Sequence, residues 1–239
     1  MVTINSEGNF GDVTITAQGE GTDAPSSSVV LKVTEGLVRE LFDYSDYCSW
    51  GKASNQNSTL TWNNTGDVTM TTYLANEAER KYRGDLVCQN TAWLHAGNYP
   101  YFAIRMTHPN DTEGWSNTMI KFDASNGKIE SDASVTYSGE LGSGNNKYVC
   151  NYLCSDNSRV FVYNLSTQAW GKNGLLMPLT EKVKYTTFQF KIADIVAAET
   201  ATVPVTYNVY WIQSFQSLTD VKAYITSEGL SITKADKEE

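Results

Sequence analysis

Short runs in which apolar and polar residues alternate recur along this chain, and turn-forming residues separate one run from the next. Residues 10–18 alternate with a period of two, and residues 187–192 and 207–215 repeat the pattern. A period of two is typical of β-strands whose two faces lie in different surroundings. About ten such runs, with no helix-length pattern between them, indicate an antiparallel sandwich or barrel.

Two segments depart from the strand pattern and are expected to be helical. Residues 74–81 are weakly periodic, and residues 218–225 are amphipathic over one or two turns. A cluster of Asn, Thr, Gly and Asp at residues 63–67 joins two strand-like runs at hairpin spacing. The remaining strand candidates are residues 29–33, 60–62, 68–73, 101–106, 119–122, 148–153 and 160–163.

The segment after the first helix candidate contains Arg83-Gly84-Asp85. We expect it to close a helix-to-strand transition, because glycine accepts left-handed or tight backbone conformations. Arg83 and Asp85 are then placed to pair across the transition.

The apolar residues of the strand-like segments predict two sheets with a single core between them. Val209, Trp211 and Phe215 share one parity along their segment, so all three are expected to face that core. Trp50 is expected to anchor the core from another segment. The predicted core consists of Phe102, Ile104, Phe122, Val160, Val162, Phe188, Phe190, Val209, Trp211 and Phe215.

We expect residues 1–239 to form a single β-sandwich domain. The stretch of Gly, Asp, Pro and Ser at residues 19–28 is the one plausible linker, but the residues before it are too few to bury a core of their own. Residues 1–35 therefore supply opening strands and a loop. The charged residues 234–239 are expected to form a frayed tail.

Charge and hydropathy exclude two classes of function. The 239 residues carry 27 acidic and 18 basic side chains, for a net charge of −9. No basic face is therefore expected to neutralise nucleic-acid phosphates. No apolar run approaches the roughly 18 residues of a membrane span.

The first residues, Met1–Glu7, lack the basic stretch and apolar core of a signal peptide. Alternation begins almost at once, and a surface rich in Asn, Ser, Thr and Tyr is typical of extracellular proteins. Two interpretations are open: a cytosolic protein, or part of a longer multidomain chain that is secreted or held on the outer cell surface. We favour the second.

The cysteines lack the spacing of a zinc site, which usually needs two close pairs or cysteines with histidines. Cys150 and Cys154 are evenly spaced in a strand-like stretch, so both can face a core as free thiols, with a disulfide as the alternative. Cys48 and Cys88 are isolated. We expect no cofactor, although a structural calcium ion bound by Asp and Asn oxygens at residues 110–111 or 123–126 is an open alternative.

No catalytic motif stands out in the sequence. A Gly-x-Ser-x-Gly turn, a phosphate-binding loop and the closely spaced carboxylate run of β-sandwich glycosidases are all missing. Asp43 and Asp46, beside Tyr44 and Tyr47, form the densest acidic-aromatic cluster, which is more typical of a capped loop or helix start. We therefore expect a protein that is not an enzyme.

The aromatic residues are the most informative feature for function. Sugar rings stack their C–H patches on flat aromatic faces, while their hydroxyl groups need planar polar partners such as Asn and Gln. Four tryptophans lie among polar or turn residues, where we expect exposed loops. The candidate ligand-binding residues are Trp62, Trp93, Trp115 and Trp170 for stacking, with Asn90, Asn117, Gln168 and Asn173 for hydrogen bonds.

Several segments together carry a resemblance to a known group of domains. They are Tyr-Arg-Gly-Asp-Leu at residues 82–86, Gly-Asn-Tyr-Pro at 97–100, Phe-Lys-Ile-Ala-Asp-Ile at 190–195 and the segment 207–220. This combination resembles the jelly-roll domains, mostly of unknown function, in surface and secreted proteins of glycan-foraging gut bacteria. More loosely, residues 9–33 resemble the opening strands of jelly-roll carbohydrate-binding modules, some of which are inserted in endo-xylanases.

The resemblance implies an all-β fold, an antiparallel β-sandwich of the jelly-roll type with one or two short helices, and glycan binding without catalysis. Together with the aromatic residues, it predicts a non-catalytic carbohydrate-binding module for a neutral plant polysaccharide or oligosaccharide, xylan-type hemicellulose first. The alternative is a structural or protein-interaction domain of a bacterial surface lipoprotein. A glycoside hydrolase is the third hypothesis.

Overall fold

The computed structural model describes most of the chain in separate stretches. The described residues are 11–21, 25–33, 37–43, 50–53, 58–76, 81–88, 92–107, 112–125, 136–141, 148–166, 170–172, 175–177, 182–197 and 205–237. Their elements in chain order are β1 (Gly11–Gln18), β2 (Ser26–Val33), β3 (Arg39–Glu40), β4 (Trp50–Lys52), β5 (Ser58–Trp62), β6 (Val68–Thr72), β7 (Leu74–Asn76), β8 (Lys81–Cys88), β9 (Ala92–His95), β10 (Tyr101–Met106), β11 (Thr112–Ser125), β12 (Thr136–Leu141), β13 (Cys150–Cys154), β14 (Arg159–Asn164), β15 (Trp170–Lys172), β16 (Leu175–Met177), β17 (Lys182–Ala197), β18 (Val205–Phe215), α1 (Leu218–Ser227) and β19 (Ile232–Asp236).

Two large antiparallel sheets form a sandwich, which confirms the all-β fold class. Among the described residues, the eight-stranded sheet runs in the order β19-β13-β14-β10-β18-β6-β5, with β3 beside β18. The nine-stranded sheet runs β16-β15-β12-β11-β17-β8-β4, with β7 beside β8 and β9 beside β17. A separate antiparallel hairpin of β1 and β2 accounts for the opening strands.

The two large sheets approach closely where β6 faces β8. A Cβ atom at Gly84 would lie only 2.5 Å from Thr72 Cγ2 and 2.9 Å from Met70 Cγ, so only glycine fits there. The Tyr207 hydroxyl donates a 2.6 Å hydrogen bond to the Gly84 carbonyl. Burial, followed by the charge of Asp85, raises the pKa of Tyr207, which keeps this donor protonated.

A first apolar cluster fills the space between the sheets. Its described members include Trp50, as expected, and residues of β6, β8, β10, β14 and β18. The predicted core residues Phe102, Ile104 and Val209 belong to it. The backbone register pairs Phe188 with buried Cys88, Phe190 with buried Leu86, and Phe122 with Phe188.

A second apolar cluster lies on the outer face of the eight-stranded sheet, so the expectation of a single core is wrong. Helix α1 covers this part of the face and contributes buried Val221 and Ile225. The predicted core residues that belong here are Val160, Val162, Trp211 and Phe215.

A β-bulge explains why residues of one predicted parity divide between the two clusters. Arg105 pairs with Trp211 and Met106 with Val209, which leaves Tyr210 as an extra residue in β18. Val209 then faces the interior, and Trp211 faces the outer cluster. A period-two reading cannot locate such a bulge, because the alternation is regular on either side of it.

Local predictions met different outcomes. Helix α1 confirms the amphipathic segment, and the Ser217 hydroxyl caps it by accepting from the Asp220 backbone N–H. The helix expected from residue 74 is wrong for residues 74–76, which form β7. Gly84 lies inside β8 instead of a transition, and residues 234–236 of the expected tail lie in β19.

The described cysteines are buried thiols. Cys150 and Cys154 both face the outer cluster, as their spacing in β13 predicts, and neither forms a disulfide. Burial raises the pKa of both thiols, so they are held in the unreactive protonated form. Cys88 is also a thiol, and Cys48 lies outside the described residues.

Candidate functional site

Three of the tryptophans predicted for ligand binding lie in strands of the nine-stranded sheet, so the expectation that they occupy loops is wrong. Trp93 lies in β9, Trp115 in β11 and Trp170 in β15. Several of the turn-forming residues that flank them also lie in these strands: Gly114, Ser116 and Asn117 in β11, and Gly171 in β15.

The strand register keeps these three positions apart. Trp93 pairs with Lys184 near one end of β17, and Trp115 pairs with Ile195 near the other end. The two positions are therefore about 35 Å apart at roughly 3.3 Å per residue. Trp170 lies on β15, which β12 and β11 separate from β17. The three backbone positions do not form one contact area for a single sugar ring.

The fourth tryptophan, Trp62, ends β5 in the eight-stranded sheet. Its partly buried indole packs against the cluster between the sheets, on the same side as Leu60. The indole Nε1 is buried and has no hydrogen-bond partner among the described residues. Trp62 therefore contributes to the interior, with part of its surface left accessible.

The polar candidates are only partly described. Asn117 lies in β11 and pairs with Ala193. Asn90, Gln168 and Asn173 lie outside the described residues, as do residues 110–111 and 126 of the calcium candidates. Asp123 lies within β11. No group of three or more His, Cys, Asp or Glu side chains in the described part of the chain is arranged to hold a metal ion.

A different surface combines an aromatic ring with uncharged polar groups. It is the part of the outer face of the eight-stranded sheet that β5, β6 and β18 form. We call it the open face and define it by seven outward-facing residues, none of which is charged. They are Thr59, Thr61, Thr69, Thr71, Thr206, Asn208 and Tyr210.

Strand alternation produces the open face. In β6, Val68, Met70 and Thr72 are fully or almost fully buried between the sheets, while Thr69 and Thr71 turn outward. In β5, Thr59 and Thr61 are exposed on the same side. Threonine suits these positions because its β-branched side chain favours strands and its hydroxyl tolerates solvent.

The register aligns the outward residues into two rows across three strands. Thr59, Thr71 and Thr206 form one row, and Thr61, Thr69 and Asn208 form the next. The hydroxyls of Thr59, Thr61 and Thr71 make no hydrogen bond within the part of the chain that the structure describes. They are therefore available to a ligand.

A polar network fixes the amide of Asn208. Its Nδ2 donates to Asp67 Oδ2 at 3.0 Å, and its Oδ1 accepts from Thr69 Oγ1 at 3.0 Å. Asp67, which is 6% exposed, also accepts from Asn63 Nδ2 at 2.9 Å and from the Thr65 hydroxyl. An amide has two N–H donors and two acceptor lone pairs, so Asn208 keeps one of each for a ligand.

Tyr210 completes the open face at the bulge. The Arg105 guanidinium carbon lies 4.0 Å from the centre of its ring, a distance at which the cation is attracted to the ring face. Burial raises the pKa of the Tyr210 hydroxyl, and the charge of Arg105 opposes that effect. The ring is half-buried, so part of its surface reaches solvent.

Arg105 is held in place through the edge of its guanidinium group. Nε donates to Ser158 Oγ at 3.0 Å, and Nη2 pairs with Asp156 Oδ2 at 2.6 Å. Nη1 lies 3.4 Å from Glu228 Oε2, which also accepts from Trp211 Nε1 at 2.9 Å. These contacts leave the guanidinium little freedom to rotate under the Tyr210 ring.

Asp156 is the acidic partner of this arrangement. Partial burial by itself raises the pKa of its carboxyl group, but hydrogen bonds from the Ser158 hydroxyl and backbone, with the contact to Arg105, outweigh burial and lower the pKa. The carboxylate is therefore ionised at neutral pH and neutralises Arg105 beneath the open face.

The sequence itself contains a signal for this surface, in the threonines of two neighbouring strands. Thr-Leu-Thr at residues 59–61 and Thr-Met-Thr at 69–71 flank the hairpin turn and repeat one alternation. Their pairing predicts a ladder of hydroxyl groups on one face. Tyr210 shares the parity of Thr206 and Asn208, so the alternation of β18 also predicts its outward placement.

The fold and the open face define this protein as an antiparallel β-sandwich with an uncharged polar surface on one sheet. Residues 36–221 match the model of DUF4979, a domain of unknown function, and the chain belongs to that family. No curated protein matches the chain. No helix in the described part of the chain has the length and apolar character needed to cross a membrane.

Solved structures of carbohydrate-active proteins show distant similarity. The family 11 carbohydrate-binding module from Clostridium thermocellum, in complex with a beta-1,3-1,4-mixed-linked tetrasaccharide, is 12% identical with a TM-score of 0.33, over 77% of this chain and 99% of that chain. The laminarinase from Flavobacterium sp. UMI-01 is 9% identical with a TM-score of 0.36, over 75% and 100%. The laminarinase catalytic domain from Thermotoga maritima MSB8 is 9% identical with a TM-score of 0.34, over 77% and 100%. These scores are too low to support an inference about function.

Proposed function

We propose that this protein is a non-catalytic carbohydrate-binding module for a neutral plant polysaccharide, with xylan-type hemicellulose ahead of other β-glycans. The observation that carries the proposal is the position of Tyr210, stacked on Arg105 at 4.0 Å and bordered by the uncharged threonine and asparagine groups of the open face. The preference for xylan rests on the looser resemblance of residues 9–33 and is the finer part of the proposal.

The chemistry of the open face suits a sugar. A pyranose ring stacks its C–H patch on an aromatic ring and buries apolar area without needing a charge. Around Tyr210, the free donor and acceptor of Asn208 and the threonine hydroxyls can exchange hydrogen bonds with sugar hydroxyls.

The charges favour a neutral ligand. The seven residues of the open face carry no charge, and the nearby ions Arg105, Asp156 and Asp67 are engaged with partners in the protein. The net charge of −9 repels an anionic glycan at long range, although salt screens this repulsion beyond about 8–10 Å. A neutral glycan has no such repulsion to overcome.

The carboxylates beside the open face support a binding role over hydrolysis. A glycosidase needs a general acid, usually a carboxyl group with a raised pKa. The pKa of Asp156 is lowered, and Asp67 accepts hydrogen bonds from three side chains.

The cellular location is proposed from the sequence alone. We place the module in a longer chain that is secreted or held on the outer cell surface of a bacterium.

The alternative function is a structural or protein-interaction domain of a surface lipoprotein. The observation that favours it is the β1–β2 hairpin, where Val29 and Val30 are 53% and 59% exposed. Exposed apolar side chains of this kind are common at protein contacts.

Affinity electrophoresis of the whole chain in gels containing xylan, mixed-linkage glucan, pectin or no polysaccharide separates these hypotheses. The proposal predicts retardation by a neutral polysaccharide, with little effect of pectin. No retardation by any polysaccharide favours the interaction domain. Release of reducing ends from the same polysaccharides contradicts the non-catalytic assignment.

A further inference from the structure

We infer that the open face binds an internal stretch of an extended glycan chain, which lies along the strands between Tyr210 and Tyr73. This inference rests on the proposed function and adds the form of the ligand. It distinguishes a module that binds along the chain from one that recognises a chain end.

Tyr73 lies at the end of the open face away from Tyr210. It directly follows Thr72, the last residue of β6, and is 38% exposed. Among the residues whose side-chain burial the structure describes, it is one of three large hydrophobic residues that are exposed, and the only aromatic one of the three. A second exposed aromatic residue, next to the end of the threonine rows, offers a second place for a sugar to stack.

The register gives the distance between the two rings. Thr71 pairs with Thr206, so Tyr73 lies two residues beyond this row in one direction and Tyr210 four residues beyond it in the other. At roughly 3.4 Å per residue, the two positions are about 20 Å apart, or somewhat less because of the bulge. A single sugar cannot contact both rings, but a chain of several sugars can.

The surface between the two rings matches such a chain. Two rows of hydroxyl and amide groups cross the three strands there, and the residues that face outward are uncharged. Recognition of a chain end needs groups that enclose a terminal sugar. Thr59 and Thr61 of β5 are exposed on the open face, so β5 does not enclose a terminal sugar there.

The test is a calorimetric titration of the whole chain with β-1,4-linked xylo- and gluco-oligosaccharides of increasing length. We expect affinity to rise with length until the oligosaccharide spans both rings. Tyr73→Ala should lower affinity for the long oligosaccharides about tenfold, since one apolar contact of this size is lost, and leave the short ones unchanged. Tyr73→Phe, which keeps the ring, is the matched control and should bind like the parent.

A second variant addresses the surface between the rings. Thr71→Val preserves the shape of the side chain and removes its hydroxyl group, so it should weaken binding of the long oligosaccharides selectively. Equal affinity for all lengths, or long-chain binding unaffected by both Tyr73→Ala and Thr71→Val, overturns the inference. In that case a loss of binding in Tyr210→Ala still supports the proposed function, whereas unchanged binding in Tyr210→Ala contradicts the proposed site itself.

Discussion

Arg105 lies beneath Tyr210 on the outer face of the eight-stranded sheet, with its guanidinium carbon 4.0 Å from the ring centre. The edge of the guanidinium contacts Ser158, Asp156 and Glu228, so residues from two other parts of the chain fix the cation that supports the ring. The position of the ring therefore depends on the tertiary fold. The bulge that brings Trp211 to the same face lies at this place in the register.

Replacing Arg105 by lysine tests this support. Arg105→Lys retains the charge but cannot contact three partners in one plane, so we expect a loss of stability of about 1.5–3 kcal/mol from lost charged hydrogen bonds. Glycan affinity should fall as well, because the Tyr210 ring loses its planar partner. Chemical denaturation measures the change in stability, and calorimetry measures the change in glycan affinity. Lys222→Arg, at a half-buried position on α1, is the control for the effect of exchanging lysine and arginine as such. Unchanged stability and affinity in Arg105→Lys contradict the role given to the guanidinium plane.

Gly84 tests the close approach of the two sheets. A methyl group there would lie 2.5 Å from Thr72 Cγ2, so we expect Gly84→Ala to destabilise the protein by roughly 1–3 kcal/mol. Thr72→Ser removes that methyl group and keeps the hydroxyl that bonds the Val205 carbonyl. The cost of Gly84→Ala, measured by urea unfolding, should be smaller in the Thr72→Ser background. Additive costs in the double variant contradict the contact.

The pKa of Asp156 predicts a dependence of stability on acid. Because its folded pKa is below the ordinary value of 3.8, ionised Asp156 stabilises the fold above that value, and the stabilisation is lost as the pH falls through the folded pKa. Asp156→Asn should therefore be less stable than the parent at neutral pH, and the difference should narrow below about pH 4. Melting temperatures of both proteins across the acidic range measure this. A constant difference at all pH values is the contrary result.

The tryptophans predicted from the sequence need separate tests. Trp62→Ala should mainly reduce stability, by about 2 kcal/mol or more, because the indole packs against the interior. Trp93→Ala, Trp115→Ala and Trp170→Ala should bind neutral oligosaccharides like the parent if the open face is the site. Calorimetric titration of the three variants shows which of the two sheets binds the glycan. Loss of affinity in any one of them would indicate a binding surface on the nine-stranded sheet.

The sequence predicts the fold class because strand alternation and turn chemistry are local properties. The turn at residues 63–67 illustrates this, since the Asn63 N–H bonds the Asp67 carbonyl and Gly66 adopts a φ of 76°, which glycine accepts readily. The amphipathic pattern of residues 218–225 likewise predicts α1. The same pattern cannot show that α1 covers a second apolar cluster.

The candidate site was less predictable because it depends on relationships between distant strands. Asn208 meets Asp67 across 141 residues of sequence, and Arg105 reaches the Tyr210 ring from a separate strand, β10. Gly84 gave a misleading signal for a related reason: it is needed for contact between the sheets, whereas the sequence favoured a turn. The composition predicts that aromatic rings and amide groups bind the ligand, but it does not predict which sheet carries them.

The most direct test of the central proposal is a calorimetric titration of the parent, Tyr210→Phe and Tyr210→Ala with the same neutral oligosaccharide. The loss of one aromatic stack should cost about 1–3 kcal/mol, by analogy with the burial of an apolar side chain. Tyr210→Ala should therefore bind roughly tenfold to a hundredfold more weakly than the parent, while Tyr210→Phe should bind almost as tightly. Parental affinity in a folded Tyr210→Ala protein would contradict the open face as the glycan-binding site.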